Sequence, residues 1–314
     1  MGFGPPNRAP DLNLKGEAMV LLANGVREYR DLTYGMLPGY RPLTLDLYLP
    51  PARSGSAKFP AVVWVHGGAW LFGAPRMNFP SFGSSEKMLA DLSAHGYVVA
   101  AVAYRLSGEA RFPAQIEDVK AAIRWLRLNA DKVDTDSQHL GIWGESAGAQ
   151  LAALAGTSCE ARNLDGPLNS PGATSSCVQA VVDWYGPTDF SQMDAQNPPG
   201  GMKHNAADSA ESKYLGCALS DCPPAVISAA NPISYIHSDA PPFLIMHGDS
   251  DVAVPTKQSQ LLYDALRAKG VPVELKLVPH ANHIFMGASA ADIAKLLPTV
   301  EQFFDHTLRG DRAQ

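Results

Sequence analysis

Four short apolar runs, AVVWV, YVVAAVAY, AVVDWY and PFLIM, are each flanked by Gly, Pro or Asp. Runs of this length with no polar face are central strands covered on both sides, which is the environment of a parallel sheet. Helical stretches lie between them. SSEKMLADLSAHG and TKQSQLLYDALRAKG both stop at glycine, and AQIEDVKAAIRWLRLNA spaces Ile116, Ala121, Ile123, Leu126 and Leu128 around a helix. VELKLV and ADIAKLLPTVEQFFDHTL supply a late strand and a closing helix. Ahead of the first apolar run, VREYRDLTYG and RPLTLDLYLP alternate polar with apolar residues, as half-exposed strands of an antiparallel hairpin do, and PARSGSAKFP then reads as a loop. The predicted fold is α/β, a doubly wound, mostly parallel sheet with an N-terminal antiparallel hairpin. Such sheets bind ligands at the carboxyl ends of their strands.

At 314 residues, 46% hydrophobic and 18% charged, the chain can bury one large core, and residues 1–314 are expected to form a single domain. Residues 187–230 interrupt the strand–helix rhythm with Pro, Gly, Asn, Ser and Asp, which predicts a loop-rich cap inserted over the site. The formal charge of −6 is accompanied by no basic stripe, so nucleic acid is not an expected partner. No apolar run reaches membrane-spanning length. The opening MGFGPPNRAP has neither the charged start nor the apolar centre of a signal peptide and reads as a mature or trimmed terminus. Among four cysteines, Cys217 and Cys222 in CALSDC are near enough to close a small loop, leaving Cys159 and Cys177 for each other. Free thiols are the alternative; disulfides would place the protein in a secreted or periplasmic compartment. CALSDC lacks a second Cys or His cluster, so no metal site is expected.

The stretch GIWGESAGAQ sets Ser146 between two glycines, with QHLGIW reading as a strand and AGAQLAAL as the start of a helix. A serine on that sharp junction is pushed out above the sheet edge, while Gly144 and Gly148 stand where neighbouring chain leaves no room for a Cβ. A serine hydroxyl needs a base, and the base needs an acid to fix its tautomer. HANHIF, after the late strand, offers His283, with His280 as the alternative. HGDSDVAVP, after PFLIM, offers Asp251, with Asp249 as an alternative whose other role is to cap the turn. Asp183 and Asp189 are placed to shape a pocket. His66 opens a glycine run and is expected to anchor it, whereas His95, His139, His204, His237 and His306 suit surface roles.

HGGAW follows the strand AVVWV, and its small residues let backbone approach a substrate. Gly68, Ala69 and Ala147 are the expected N–H donors to an oxyanion, with Gly67 supplying the turn. Trp70 beside this loop and Trp184 and Tyr185 at the end of AVVDWY are candidate pocket residues; Trp64, Trp125 and Trp143 are expected in the core. Glu145 is expected either to make a supporting hydrogen bond or to touch the chemistry. These sites require no cofactor.

Taken together, HGGAW, AVAYRL, IEDVKAAIRWLRLNA, GESAG, YGPTD, the run from PISYIHSDAPPFLIMHGDSD onward and HANHIF resemble α/β hydrolase esterases of the bacterial feruloyl-esterase-like branch, which adjoins the hormone-sensitive-lipase-like esterases. The likeness spans roughly Leu43 to Phe304. It implies Ser146 as nucleophile, Asp251 as acid, His283 as base, and Gly68, Ala69 and Ala147 as oxyanion donors. Ala69 stands where the lipase-like relatives often have a third glycine, and Ile284 where a glycine commonly follows the histidine. The implied activity is a cofactor-free serine carboxylesterase acting on a small-molecule or carbohydrate-linked ester with a small, short-acyl or aromatic group. An amidase or kynurenine-formamidase-like hydrolase, a peptidase of related fold and a silent binding module are the competing readings.

Overall fold

A computed structural model describes residues 12–52, 57–169 and 172–310. The opening decapeptide, for which a trimmed terminus is expected, lies outside the described residues. Strands β1 (Met19–Leu21), β2 (Arg27–Gly35), β3 (Leu43–Leu49) and β4 (Phe59–Val65) come first, followed by a short hairpin of β5 (Asn78–Phe79) and β6 (Gly83–Ser84). Helix α1 (Ser85–Ala94), β7 (Val98–Val102), α2 (Ala114–Leu128), β8 (Thr135–Glu145), α3 (Ala147–Thr157) and β9 (Ala180–Trp184) form the middle of the chain. Three short helices, α4 (Met193–Gln196), α5 (Ala210–Leu215) and α6 (Pro224–Ala230), then precede β10 (Phe243–Gly248), α7 (Lys257–Ala268), β11 (Val273–Val278) and α8 (Ala290–Phe304).

Among the described residues, nine strands make one sheet in the order β1-β2-β3-β7-β4-β8-β9-β10-β11. The pairs β1–β2, β2–β3 and β3–β7 are antiparallel, and every pairing from β7 to β11 is parallel. This is the doubly wound, mostly parallel sheet that the buried apolar runs require, and it is an α/β hydrolase fold. Alternate residues of β4 serve two cores. Val63 and Val65 pack with Ile116, Ile123, Leu151 and Leu262 of α2, α3 and α7, whereas Val62 and Trp64 pack with Leu89, Leu92, Leu296 and Val300 of α1 and α8. A strand buried on both faces has no polar side, which is why AVVWV reads as a continuous apolar run.

Three details differ from the sequence expectation. Strand β8 runs for eleven residues, well beyond QHLGIW: Thr135 pairs with Phe59, and after a register shift the ladder with β4 resumes at Leu140. Phe59 and Pro60, expected in a loop, begin β4. The segment 187–230 carries three short helices rather than plain loop. Disulfides join Cys159 to Cys177 and Cys217 to Cys222, the two expected pairs. No described helix is long and apolar enough to cross a membrane.

Candidate active site

Strand β8 delivers Ser146 at its carboxyl end, one residue before α3, with φ 53° and ψ −122°. A non-glycine residue in this region is strained and persists only where its surroundings impose it. Here the Ser146 amide donates to Trp184 O at 2.8 Å, locking the turn to β9. A Cβ on Gly144 would lie 2.2 Å from Gly148 O, and one on Gly148 would lie 2.1 Å from Val65 O. The glycines are therefore the condition for β8, α3 and β4 to converge beneath the serine.

Ser146 Oγ lies 2.9 Å from His283 Nε2, and His283 Nδ1 donates to Asp251 Oδ2 at 2.7 Å. The histidine follows β11 and the aspartate follows β10, so three parallel strands bring the three groups to one sheet edge. Asp251 is buried, and its other oxygen accepts the amides of Ala253 and Val254, both at 2.8 Å. Burial pushes this carboxyl up, but hydrogen bonds from His247 and His283 outweigh it and hold the group below the usual carboxylate range. The alternatives do not reach the serine. Asp249 instead accepts the His280 backbone amide at 2.8 Å, so the two are bonded to each other in the turn.

The sequence reading passed over His247. Its fully buried ring places Nε2 3.1 Å from Asp251 Oδ2 and 3.0 Å from Val254 O, with Nδ1 2.7 Å from Ser259 Oγ. Two acceptors at Nε2 fix the proton there, leaving Nδ1 to accept from the serine hydroxyl. The available signal was its place at the end of a buried strand, four residues before Asp251.

Gly68, Ala69 and Ala147 all border the cavity that contains Ser146. Among the described residues their amides donate to no protein acceptor. The loop is held from behind. His66 Nδ1 donates to Gly67 O at 2.7 Å while its ring stacks on Tyr104 at 4.4 Å, and Glu145 Oε1 accepts the Gly67 amide at 2.5 Å. Burial raises the Glu145 carboxyl to about 7 and lowers the His66 imidazole to about 4.

The cavity has a volume of about 720 Å³ and is bordered by Trp70, Leu71, Phe72, Met77 and Phe79 and by residues of 202–211. Trp70 belongs to its wall, stacking on Tyr214 at 4.5 Å and donating Nε1–H to Gln150 at 3.2 Å. Trp184 and Tyr185, expected in the pocket, do not border it. Trp184 faces the opposite core and packs on Trp143 and Phe285, because the residue at the end of β9 alternates away from the cavity. Tyr185 is fully buried, with its ring 4.9 Å from that of His283, and backs the histidine. Asp183 is buried and accepts the Gly186 amide, while Asp189 caps its own turn through Ser191. His204, expected at the surface, is only 3% exposed and borders the cavity.

A doubly wound sheet whose edge carries a serine, a carboxylate and an imidazole after three of its parallel strands, in that chain order, has the architecture of the α/β hydrolases. A sequence profile of the BD-FAE family matches residues 45–266, and the chain belongs to that family. It is 33% identical over 276 residues to the esterase LipQ of Mycobacterium tuberculosis, an alignment covering 87% of this chain and 61% of LipQ. The chain spans about three fifths of the length of the first curated relatives it matches. Among solved structures, a truncated carbohydrate esterase from gut microbiota superposes with a TM-score of 0.73 at 28% identity, covering 88% of this chain and 96% of that one. A bifunctional GH43-CE protein of Bacteroides eggerthii gives a TM-score of 0.73 at 32% identity, covering 88% of this chain and 35% of that one.

Proposed function

We propose that this protein is a serine carboxylesterase. The observation that carries the reading is the unbroken hydrogen-bonded sequence from Ser146 Oγ through His283 to Asp251, with Ser146 and His283 bordering the cavity. In this reading His283 Nε2 removes the Ser146 proton as Oγ attacks the ester carbonyl, and Asp251 holds the imidazole in the tautomer that leaves Nε2 free to accept it. The amides of Gly68, Ala69 and Ala147 receive the oxyanion. Return of the proton to the departing alcohol leaves an acyl-serine, and water, activated by the same imidazole, releases the acid. A cavity of about 720 Å³ is in the range of small-molecule sites. Residues 187–230 act as its cap. The names of the esterase relatives support the reaction class, and the carbohydrate-esterase titles put carbohydrate-linked esters in the substrate panel. The two disulfides favour a secreted or periplasmic setting.

Intact-mass analysis after incubation with an organophosphate tests the reading. One covalent adduct is expected, lost in Ser146→Ala, together with turnover of 4-nitrophenyl acetate. Folded protein that neither takes up the label nor turns over any ester in the panel overturns it.

A further inference from the structure

Apart from Asn78, the Trp70 indole and Glu145, the last two already bonded to Gln150 and to the Gly67 amide, and the residues already placed in the mechanism, the polar side chains bordering the cavity come from one short stretch: Lys203, His204, Asp208, Ser209 and Glu211. Lys203 and Asp208 are exposed and opposite in charge. His204 and Glu211 differ from them, being 3% and 6% exposed and joined by a contact of 3.0 Å between Nδ1 and Oε1. The carboxylate can only accept, so the proton between them sits on Nδ1. His204 Nε2 is buried and has no hydrogen-bond partner among the described residues. A buried polar atom left without a partner is costly, so the site favours a ligand that supplies one.

The position of this ring is fixed. Asp194 accepts the amides of His204 and Asn205 at 2.7 and 3.2 Å, and Met202 N donates to Val252 O at 2.9 Å, next to Asp251. Glu211 stands in the first turn of α5, whose cap Ser209 accepts the Ser212 amide at 3.1 Å. The dyad is thus tied through backbone to the loop that carries Asp251.

The geometry points to His204, oriented by Glu211, as the specificity-determining residue for an ester whose non-reacting part carries a hydroxyl group. This inference rests on the esterase reading. With Nδ1–H donated to Glu211, a neutral ring offers Nε2 as an acceptor and a protonated ring offers Nε2–H as a donor. A substrate hydroxyl, which both donates and accepts, satisfies either state. The opposite charges of Lys203 and Asp208 give an ionic substituent no net attraction. The apolar lining of Trp70, Leu71, Phe72 and Phe79 provides no competing hydrogen bond from those side chains, apart from the indole N–H already given to Gln150.

Two matched pairs of esters test it by kcat/KM. Glyceryl monobutyrate against propyl butyrate varies the alcohol side, and ethyl 3-(4-hydroxyphenyl)propanoate against ethyl 3-phenylpropanoate varies the acyl side. The hydroxylated member of one pair is expected to be preferred by at least about tenfold, since a site built to bind a hydroxyl rejects the analogue lacking it. That ratio is expected to collapse towards one in His204→Phe, to fall in Glu211→Leu and to persist in part in His204→Gln. Organophosphate labelling of Ser146 in each variant reports an intact site. A wild-type ratio near one in both pairs overturns the inference, as does a preference that survives in labelled His204→Phe. Should the His204 variants fail to label, the wild-type ratios and Glu211→Leu decide. No turnover of any ester instead defeats the esterase reading.

Discussion

The carboxylate of Glu145 accepts the Gly67 amide at 2.5 Å, so the residue before the serine is bonded to the loop that carries Gly68 and Ala69. His66, one residue before Gly67, donates to the Gly67 carbonyl from the other side. Two buried titratable groups therefore brace the peptide units on either side of Gly67, and burial shifts them in opposite directions.

These shifts predict opposite pH dependences. Folding raises the Glu145 carboxyl to about 7, so between the ordinary carboxylate range and about pH 7 the folded state binds more protons than the unfolded chain. The stability tied to that proton is present below this window and lost as pH rises through it, by at most about 3 kcal/mol. Denaturant titrations of Glu145→Gln and wild type from pH 4.5 to 7.5 are expected to show the variant gaining on wild type as pH rises. His66, lowered to about 4, works the other way. Its unfolded form binds more protons below about pH 6.5, so its contribution is present above that value and lost as pH falls towards 4. His66→Asn is expected to gain on wild type as pH falls. Differences that stay flat with pH would show that neither group titrates in the folded state as burial requires.

Asp251 accepts hydrogen bonds from two imidazoles, and the two should not be equivalent. Asp251→Asn removes the charge and permits the wrong His283 tautomer, so kcat for ester hydrolysis is expected to fall by about 10³–10⁴-fold. His247 acts only through the carboxylate. His247→Leu is expected to lower kcat by about tenfold, the worth of one net hydrogen bond, with KM little changed. His247→Gln, which keeps a donor near the Nε2 position, is expected to recover most of that loss. Steady-state kinetics on a single ester decides: equal defects in the Leu and Gln variants would mean that the ring's packing matters rather than its N–H.

Much of the sheet was legible because its central strands are buried on both faces and two of its helices, α1 and α7, stop just before a glycine. β1 was not, since Met19, Val20 and Leu21 are all exposed and show no alternation. The meeting of Ser146, His283 and Asp251 was legible from strand-end motifs in a fixed order. The pocket was less so. Which face Trp184 takes depends on the register of β9 at its last residue, and a local pattern around DWYG does not contain that register. His204 reads as a surface histidine because its neighbours are polar; the pairing of its ring with Glu211 and of its amide with Asp194 depends on how the loop folds back on itself, which no periodic pattern records. His247 was hidden by the stronger acidic signal of HGDSD beside it.

The glycine after the serine motif sets a hard limit on backbone spacing. A Cβ on Gly148 would approach Val65 O and His66 O at 2.1 and 2.4 Å, and neither carbonyl can swing aside without disturbing β4 or the following loop. Gly148→Ala is expected to cost about 3 kcal/mol or more, at the upper end of overpacking effects. Urea unfolding measures this directly. A loss below about 1 kcal/mol would mean that α3 can shift away from β4 with little strain.

The two disulfides close loops of different length, and their removal should rank accordingly. Cys159–Cys177 spans 18 residues and Cys217–Cys222 spans 5. If a cross-link acts mainly by restricting the unfolded chain, the longer loop contributes about 3 kcal/mol and the shorter about 2 kcal/mol. The double serine variants are accordingly expected to lose stability in that order in denaturant titrations. A second effect separates them. The short loop follows α5, which carries Glu211 at the cavity wall, whereas Cys159 and Cys177 lie in the segment between α3 and β9. Cys217→Ser/Cys222→Ser is therefore expected to raise KM at least about threefold, a shift of roughly 0.6 kcal/mol, while Cys159→Ser/Cys177→Ser lowers stability with KM little changed. The reverse assignment of the KM effect would show that α5 is held in place without its cross-link.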